Sequence, residues 1–309
     1  MSSAAARREE VINPATLAAI GDLELAGRML ATGYLFGRHL GQRHGPGFEF
    51  AQYRAWQPGD SSRSVDWRLY ARSERLSVRE SELETDQRLW LLLDTSASMD
   101  FASPGGALNK FAYACRLAAA LGYLAQQQGD ELGLITLASD CRLRVPASAG
   151  RLQWYRVLGA LRDLRCAGRL GDASSVDGNP TELKLPQGFS DASEGALIVV
   201  LSDFYQHHSE LSDLLGRLAN GARDVRAVCL ETEAERTLPY RGVVRLRDPE
   251  SGVERFTDPA QTRAAYRASR QSYFDELRRT LLGRGVNFER FNVDEPLDGR
   301  LRRYLTDQP

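Results

Sequence analysis

Two apolar runs in this chain end in oxygen-bearing side chains. Leu89-Trp-Leu-Leu-Leu93 is followed at once by Asp94-Thr95-Ser96-Ala97-Ser98, and Leu197-Ile-Val-Val-Leu201 by Ser202-Asp203. Between them lies Asp177-Gly178-Asn179-Pro180-Thr181-Glu182. Asp94, Ser96 and Ser98 stand at i, i+2 and i+4, so an extended backbone there puts all three on one side. A carboxylate with hydroxyls is a hard oxygen set, suited to Mg²⁺, Mn²⁺ or Ca²⁺ and not to zinc. Mg²⁺ usually keeps waters and takes one or two carboxylates, so an incomplete protein shell leaves a position open. The plainer alternative is capping: Asp94, Ser96 or Ser98 could cap the turn or helix that follows, and Asp203 the helix near Ser209.

The elements that must position these residues read as alternating strands and helices over 88–309. A short, fully apolar run such as 89–93 or 197–201 is the pattern of a strand covered on both faces. Asn109 to Gln128 reads as a helix with Asn109 as N-cap. Leu132 to Leu137 and Cys141 to Val145 read as strands, and Leu152 to Leu164 as a helix. Leu211, Leu214, Leu215 and Leu218 give the i, i+3, i+4, i+7 spacing of an amphipathic helix. Val225 to Leu230 is a strand, and Val243 to Phe256 a hairpin turning at Glu250-Ser251-Gly252. Pro259 to Leu282 is a helix with Asp258 as N-cap, Pro259 at N1 and Gly283 just past its end. Val286 to Val293 and Leu297 to Leu305 complete the order. This alternation predicts an α/β fold, a doubly wound and mostly parallel sheet with helices on both faces. In such sheets ligands bind beyond the carboxyl ends of the strands, where Asp94 and Asp203 fall. Asp94 is expected at a surface edge.

Residues 1–87 form a smaller α+β region in this reading. A helical pattern runs from Gly21 to about Leu40, and Phe48 to Trp56 and Leu76 to Leu83 alternate as half-buried strands do. Arg54, Asp60, Arg63, Asp66, Trp67 and Arg72 lie in a stretch of interleaved charge. They read as a solvated salt-bridged surface, as a structural cluster, or as a docking face for a partner.

Asp94-x-Ser96-x-Ser98, Thr181 and Asp203 resemble the metal-ion-dependent adhesion site of von Willebrand factor A domains. The resemblance implies that Ser96, Ser98 and Thr181 contact a metal through hydroxyls. Asp94 and Asp203 would contact it directly or through water, and a partner's carboxylate would complete the shell. Arg54-Ala-Trp-Gln-Pro-Gly-Asp60, Arg63-Ser-Val-Asp66-Trp67, Ala71-Arg72, Arg245-Leu-Arg-Asp-Pro-Glu-Ser-Gly-Val-Glu254 and Asp294-Glu-Pro-Leu297 are similar to the bacterial domain-of-unknown-function family 58. That similarity covers most of 20–305. It implies a partner: members are typically encoded beside MoxR-type AAA+ ATPases, often with other A-domain proteins. The expectation is a metal-dependent adaptor or co-chaperone of such an ATPase.

Other classes fit less well. The formal net charge of −1 gives no field favouring nucleic acid, and no basic run is interleaved with aromatics. No segment reaches the roughly 18 consecutive apolar residues of a membrane helix, and the N-terminus lacks an apolar signal core, so membrane insertion is not expected and the location is expected to be cytoplasmic. Cys115, Cys141, Cys166 and Cys229 form no C-x-x-C pair and read as buried free thiols rather than a disulfide set or a zinc site. A haloacid-dehalogenase-type phosphotransferase needs D-x-D, and Ser96 stands at the third position. No G-x-S-x-G, phosphate loop or dinucleotide motif is present. The alternative that remains is a Mg²⁺-dependent hydrolase or phosphotransferase using Asp94 and Asp203; the expectation is that the protein is not an enzyme.

Overall fold

The computed structural model describes residues 23–31, 50–55, 77–81, 87–137, 142–170, 195–205, 209–221 and 223–306, with Leu183, Leu185 and Phe189. Two compact units are present. One comprises residues 38–86; the other comprises 1–37 together with 87–309. The smaller unit holds β1 (Phe50–Ala55) antiparallel to β2 (Ser77–Ser81).

The larger unit is built on a six-stranded sheet. Its strands are β3 (Arg88–Asp94), β4 (Glu131–Leu137), β5 (Arg142–Ser148), β6 (Leu197–Ser202), β7 (Asp224–Glu231) and β10 (Val286–Asn292). They run in the order β10-β7-β6-β3-β4-β5. All neighbours are parallel except β5, which pairs antiparallel with β4 at the edge. The helices are α1 (23–31), α2 (Lys110–Gln128), α3 (Arg151–Asp163), α4 (Glu210–Ala219), α5 (Glu233–Thr237), α6 (Pro259–Gly283) and α7 (Leu297–Thr306). A two-stranded hairpin, β8 (Val244–Arg247) with β9 (Glu254–Thr257), precedes α6.

The period-2 geometry of a strand explains why β3 is apolar throughout. Leu89, Leu91 and Leu93 join a core with α1, α2, α3 and α7 on one face. Trp90 and Leu92 join a second core with α4 and α6 on the other. Burying each such leucine is worth about 2 kcal/mol. Trp90 claims its space opposite a glycine: a Cβ at Gly133, its β4 neighbour, would lie 2.5 Å from the indole ring.

Helix 23–31 corrects the sequence boundary at residue 87, which grouped it with the N-terminal region. Ala26 and Leu30 are fully buried in the main core. The approach to α2 is close, since a Cβ on Gly27 would meet that of Ala119 at 3.0 Å. The Arg28 guanidinium donates to the Tyr155 hydroxyl at 2.9 Å, and that hydroxyl donates to Glu24 at 3.0 Å. Small residues on α2 let the short helix pack, and packing decides its allegiance where chain position suggested otherwise.

Local signals behave largely as their chemistry requires. Asn109 accepts from the Ala112 amide at 2.7 Å, and Asp258 from that of Ala260 at 3.0 Å with Pro259 at the helix start. α6 runs through Gly283, one residue beyond the expected end, and the left-handed turn falls at Gly285 (φ 76°). Cys115 and Cys229 are buried free thiols, as expected, whereas Cys166, just past the end of α3, is free but only half-buried.

Candidate metal centre

The topology creates the crevice before any side chain is considered. β3 leads into α2 on one face, whereas β6 leads into α4 on the other. β3 and β6 are neighbours, so their carboxyl ends mark the switch point of the sheet. The pairing of Leu93 with Leu201 brings Asp94 beside Ser202.

Asp94 is fully buried rather than at the surface edge expected from sequence. Ser202 Oγ donates to its Oδ2 at 2.5 Å, and the Ser96 amide to its Oδ1 at 2.8 Å. Its carboxyl is pushed up to about 7, first by burial and then by the Asp203 charge; hydrogen bonds from Ser202 and Ser96 oppose the shift. Ser96 and Ser98 turn their hydroxyls to each other, 3.0 Å apart. Ser96 occupies the N-cap of the 3₁₀ turn Ala97–Asp100 without a side-chain cap bond, so its hydroxyl is not spent on capping.

Asp203 is 1% exposed and held by a sharp strand exit. Phe204 is in the left-handed region (φ 58°), uncommon and strained for a residue with a Cβ. The Phe204 amide donates to Ser202 Oγ at 3.0 Å, and the Tyr205 amide to Asp203 Oδ1 at 3.2 Å. Tyr273 donates to the Phe204 carbonyl at 2.6 Å, pinning the turn from α6. The Asp203 carboxylate is therefore oriented by the turn that follows β6 rather than by capping the helix near Ser209, whose N-cap makes no side-chain bond.

Sequence reasoning missed Lys110. Its Nζ donates to Asp203 Oδ2 and to Glu235 Oε1, both at 2.7 Å, from a side chain 1% exposed. Burial lowers its pKa, but the two carboxylates outweigh burial and hold it above the ordinary lysine value. One signal was available: only Lys110 and Lys184 are lysines among 40 basic residues. A chain otherwise built with arginine keeps a compact, strongly donating ammonium here. Glu235 is itself fixed by a capping box with Thr232 at the start of α5.

Glu250 was also missed as a site residue. It lies at the tip of the β8–β9 hairpin and lines, with Ser98, Tyr205, Asp248 and Tyr273, a cleft of about 460 Å³. Burial raises its carboxyl above the ordinary glutamate range. The Ser98 hydroxyl pulls the other way, Asp203 raises it further, and Ser96 lowers it. Its Oε1 atom is buried with no aligned donor, although the Ser98 and Ser96 hydroxyls lie close enough to the carboxyl to lower its pKa. The hairpin was legible in sequence, but its position over the site was not.

Among the described residues, no group of three or more His, Cys, Asp or Glu is arranged to hold a metal by those side chains alone. A cation here would depend on hydroxyls, and the donor chemistry fits one. Two oxygens on an octahedral shell with Mg–O of 2.0–2.1 Å are about 2.9 Å apart along an edge. The Ser96 and Ser98 hydroxyls are 3.0 Å apart. Asp94 carries a carboxyl whose ionisation burial opposes, and Glu250 carries a buried oxygen with no aligned donor. A cation would relieve both.

Thr181 lies outside the described residues, as do Asp60, Arg63, Asp66, Trp67 and Arg72. Arg54 lies on β1, where its backbone pairs with Val78. His207 and His208 are also outside them.

A doubly wound, mostly parallel sheet with D-x-S-x-S at its switch point defines an α/β domain that resembles von Willebrand factor A domains. The chain belongs to the family described as "Protein of unknown function DUF58", whose model matches residues 52–274. It is 31% identical over 306 residues to the uncharacterized proteins Rv1480 of Mycobacterium tuberculosis and Mb1516 of Mycobacterium bovis, covering 97% of this chain and 92% of each relative. Among solved structures it is similar to BatB from Bacteroides thetaiotaomicron, at 14% identity and a TM-score of 0.45 over 72% of this chain and 98% of that one. It is also similar to the SpRpn10 VWA domain, at 11% identity and a TM-score of 0.38 over 72% and 95%. No helix among the described residues is long and apolar enough to cross a membrane.

Proposed function

We propose that this protein is a metal-dependent protein-binding module. Mg²⁺, or Mn²⁺ or Ca²⁺ in its place, is held by the Ser96 and Ser98 hydroxyls with Asp94 and Asp203, joined by Thr181 as the family resemblance implies. The ion would supply a Lewis-acidic position for an anionic oxygen of a protein partner. The observation that carries this reading is the pair of hydroxyls 3.0 Å apart beside two buried carboxylates at the sheet's switch point.

Binding rather than turnover is the role these residues suit. Asp94 is engaged by Ser202 and the Ser96 amide, and Asp203 by Lys110 and the Tyr205 amide. Those partners orient the carboxylates as positioning groups. Following the resemblance, the partner is a MoxR-type AAA+ ATPase or another A-domain protein, and the role is that of an adaptor in assembly or maturation of protein complexes. A cytoplasmic setting is part of this reading. Arg54, Asp60, Arg63, Asp66, Trp67 and Arg72 are a second candidate contact face.

The test is a co-purification of the tagged protein with the purified MoxR-type ATPase of the same organism, in Mg²⁺ and in EDTA. Retention in Mg²⁺ and release in EDTA is expected, with loss of retention in Asp94→Asn. Equal retention in both buffers would move docking away from the metal site. No retention in either would overturn the partner.

A further inference from the structure

The β8–β9 hairpin is tied to the D-x-S-x-S loop through a short relay of hydrogen bonds. The Ala97 amide donates to the Gly168 carbonyl at 3.1 Å, and the Ala167 amide to the Thr95 carbonyl at 2.8 Å. One residue further on, Arg169 Nε donates to the Glu250 carbonyl at 3.0 Å. Segment 167–169 thus grips the serine loop on one side and the hairpin tip on the other.

The tip is also preformed. Asp248 Oδ1 accepts from the Glu250 amide at 2.9 Å, and Ser251 donates to Asp248 Oδ2. The Asp248 amide donates to the Val253 carbonyl at 2.9 Å, and the Gly252 amide to the Asp248 carbonyl at 2.8 Å. Gly252 has φ 71°, which the turn requires and glycine adopts without strain. This scaffold presents the half-buried Glu250 to the cleft that Ser98 lines, with the Oε1 atom buried and no aligned donor on it, and with the Ser98 and Ser96 hydroxyls beside the carboxyl. A buried carboxylate oxygen without an aligned donor is costly unless a cation meets it. The Ser98 and Ser96 hydroxyls and the Asp203 charge all act on this carboxyl, which places it beside the serine pair.

We propose that Glu250 is a built-in ligand of this metal centre, held by the hairpin at the coordination position that would otherwise receive a partner's carboxylate. The inference rests on the metal-binding reading above. It makes the hairpin a gate: an acidic side chain of the partner must displace Glu250 to reach the ion. Two anionic oxygens compete for one hard cation, so the outcome depends on partner concentration and on how firmly Asp248 and Arg169 hold the tip.

The test uses the full chain stripped with EDTA and titrated with Mn²⁺ alone. Affinity is measured calorimetrically, and water-proton relaxation reports the waters bound directly to the ion. Glu250→Gln, which keeps the shape and removes the charge, is expected to bind Mn²⁺ at least about tenfold more weakly. It should also relax water protons faster, through one added bound water. Glu250→Ala should behave alike, and added acetate should restore the wild-type relaxation in that variant. If wild type and both variants bind Mn²⁺ with equal affinity and relaxation, Glu250 is not a ligand, and the metal reading survives without it. If wild-type protein and variants all fail to bind Mn²⁺, the metal reading itself falls and takes the gate with it.

Discussion

Lys110 Nζ sits 2.7 Å from Asp203 Oδ2, and both side chains are 1% exposed. The ammonium also meets Glu235 at 2.7 Å, so one buried cation joins the end of β6 to the start of α5. Two carboxylates in one dry place repel each other; the lysine between them makes the arrangement tolerable. Its place at the first turn of α2 links the helix leaving β3 to the carboxylate ending β6.

Removing that cation should be severe. Lys110→Met leaves Asp203 buried without its counter-charge, a change that typically costs about 3–5 kcal/mol. Urea denaturation should show a corresponding fall in the midpoint. A variant as stable as wild type would mean that the pair contributes little to the fold.

The metal-free protein should lose stability as pH rises. Asp94 is held at about 7 in the folded chain, against 3.8 as its ordinary value. Between those values the folded state keeps a proton that the unfolded state has released, so stability declines with increasing pH and levels off above about 7. Asp94→Asn should flatten this dependence and be the more stable protein in EDTA at pH 8. Thermal melts of both in EDTA from pH 5 to 8 check the expectation; parallel curves would show that Asp94 does not drive it.

Gly133→Ala should destabilise the sheet by about 1–3 kcal/mol through overpacking. The added methyl would lie 2.5 Å from the Trp90 ring, which packs edge-on against Phe189 at 4.9 Å and has little room to retreat. Trp90→Phe combined with Gly133→Ala should recover part of the loss. A double-mutant cycle by chemical denaturation measures it; strict additivity would contradict the clash.

Val199 is 1% exposed in the middle of β6. Val199→Asp buries an unpaired carboxylate in the core between the central sheet and α2, a mechanism that produces losses above about 4 kcal/mol. Insoluble or unfolded protein by circular dichroism is expected. A soluble, folded variant would refute the strand's central place.

The amino-acid pattern by itself determined the alternation of strands and helices, because apolar runs and 3.6-residue stripes are local consequences of burial on two faces. It also placed Asp94, Ser96, Ser98 and Asp203 at strand ends, since the chemistry of each segment changes abruptly there. Three matters belonged to the tertiary structure alone. Helix 23–31 joins the main body through Gly27 against Ala119, a fit between surfaces far apart in sequence. Asp94 is buried rather than at an edge, because the register of β3 with β6 sets Ser202 over it. Lys110 and Glu250 reach the site from 93 positions before Asp203 and from a hairpin beyond it. Periodicity records which face of an element is buried. It carries no record of which distant side chain will meet that face, since this follows from the order of strands and the paths of the loops.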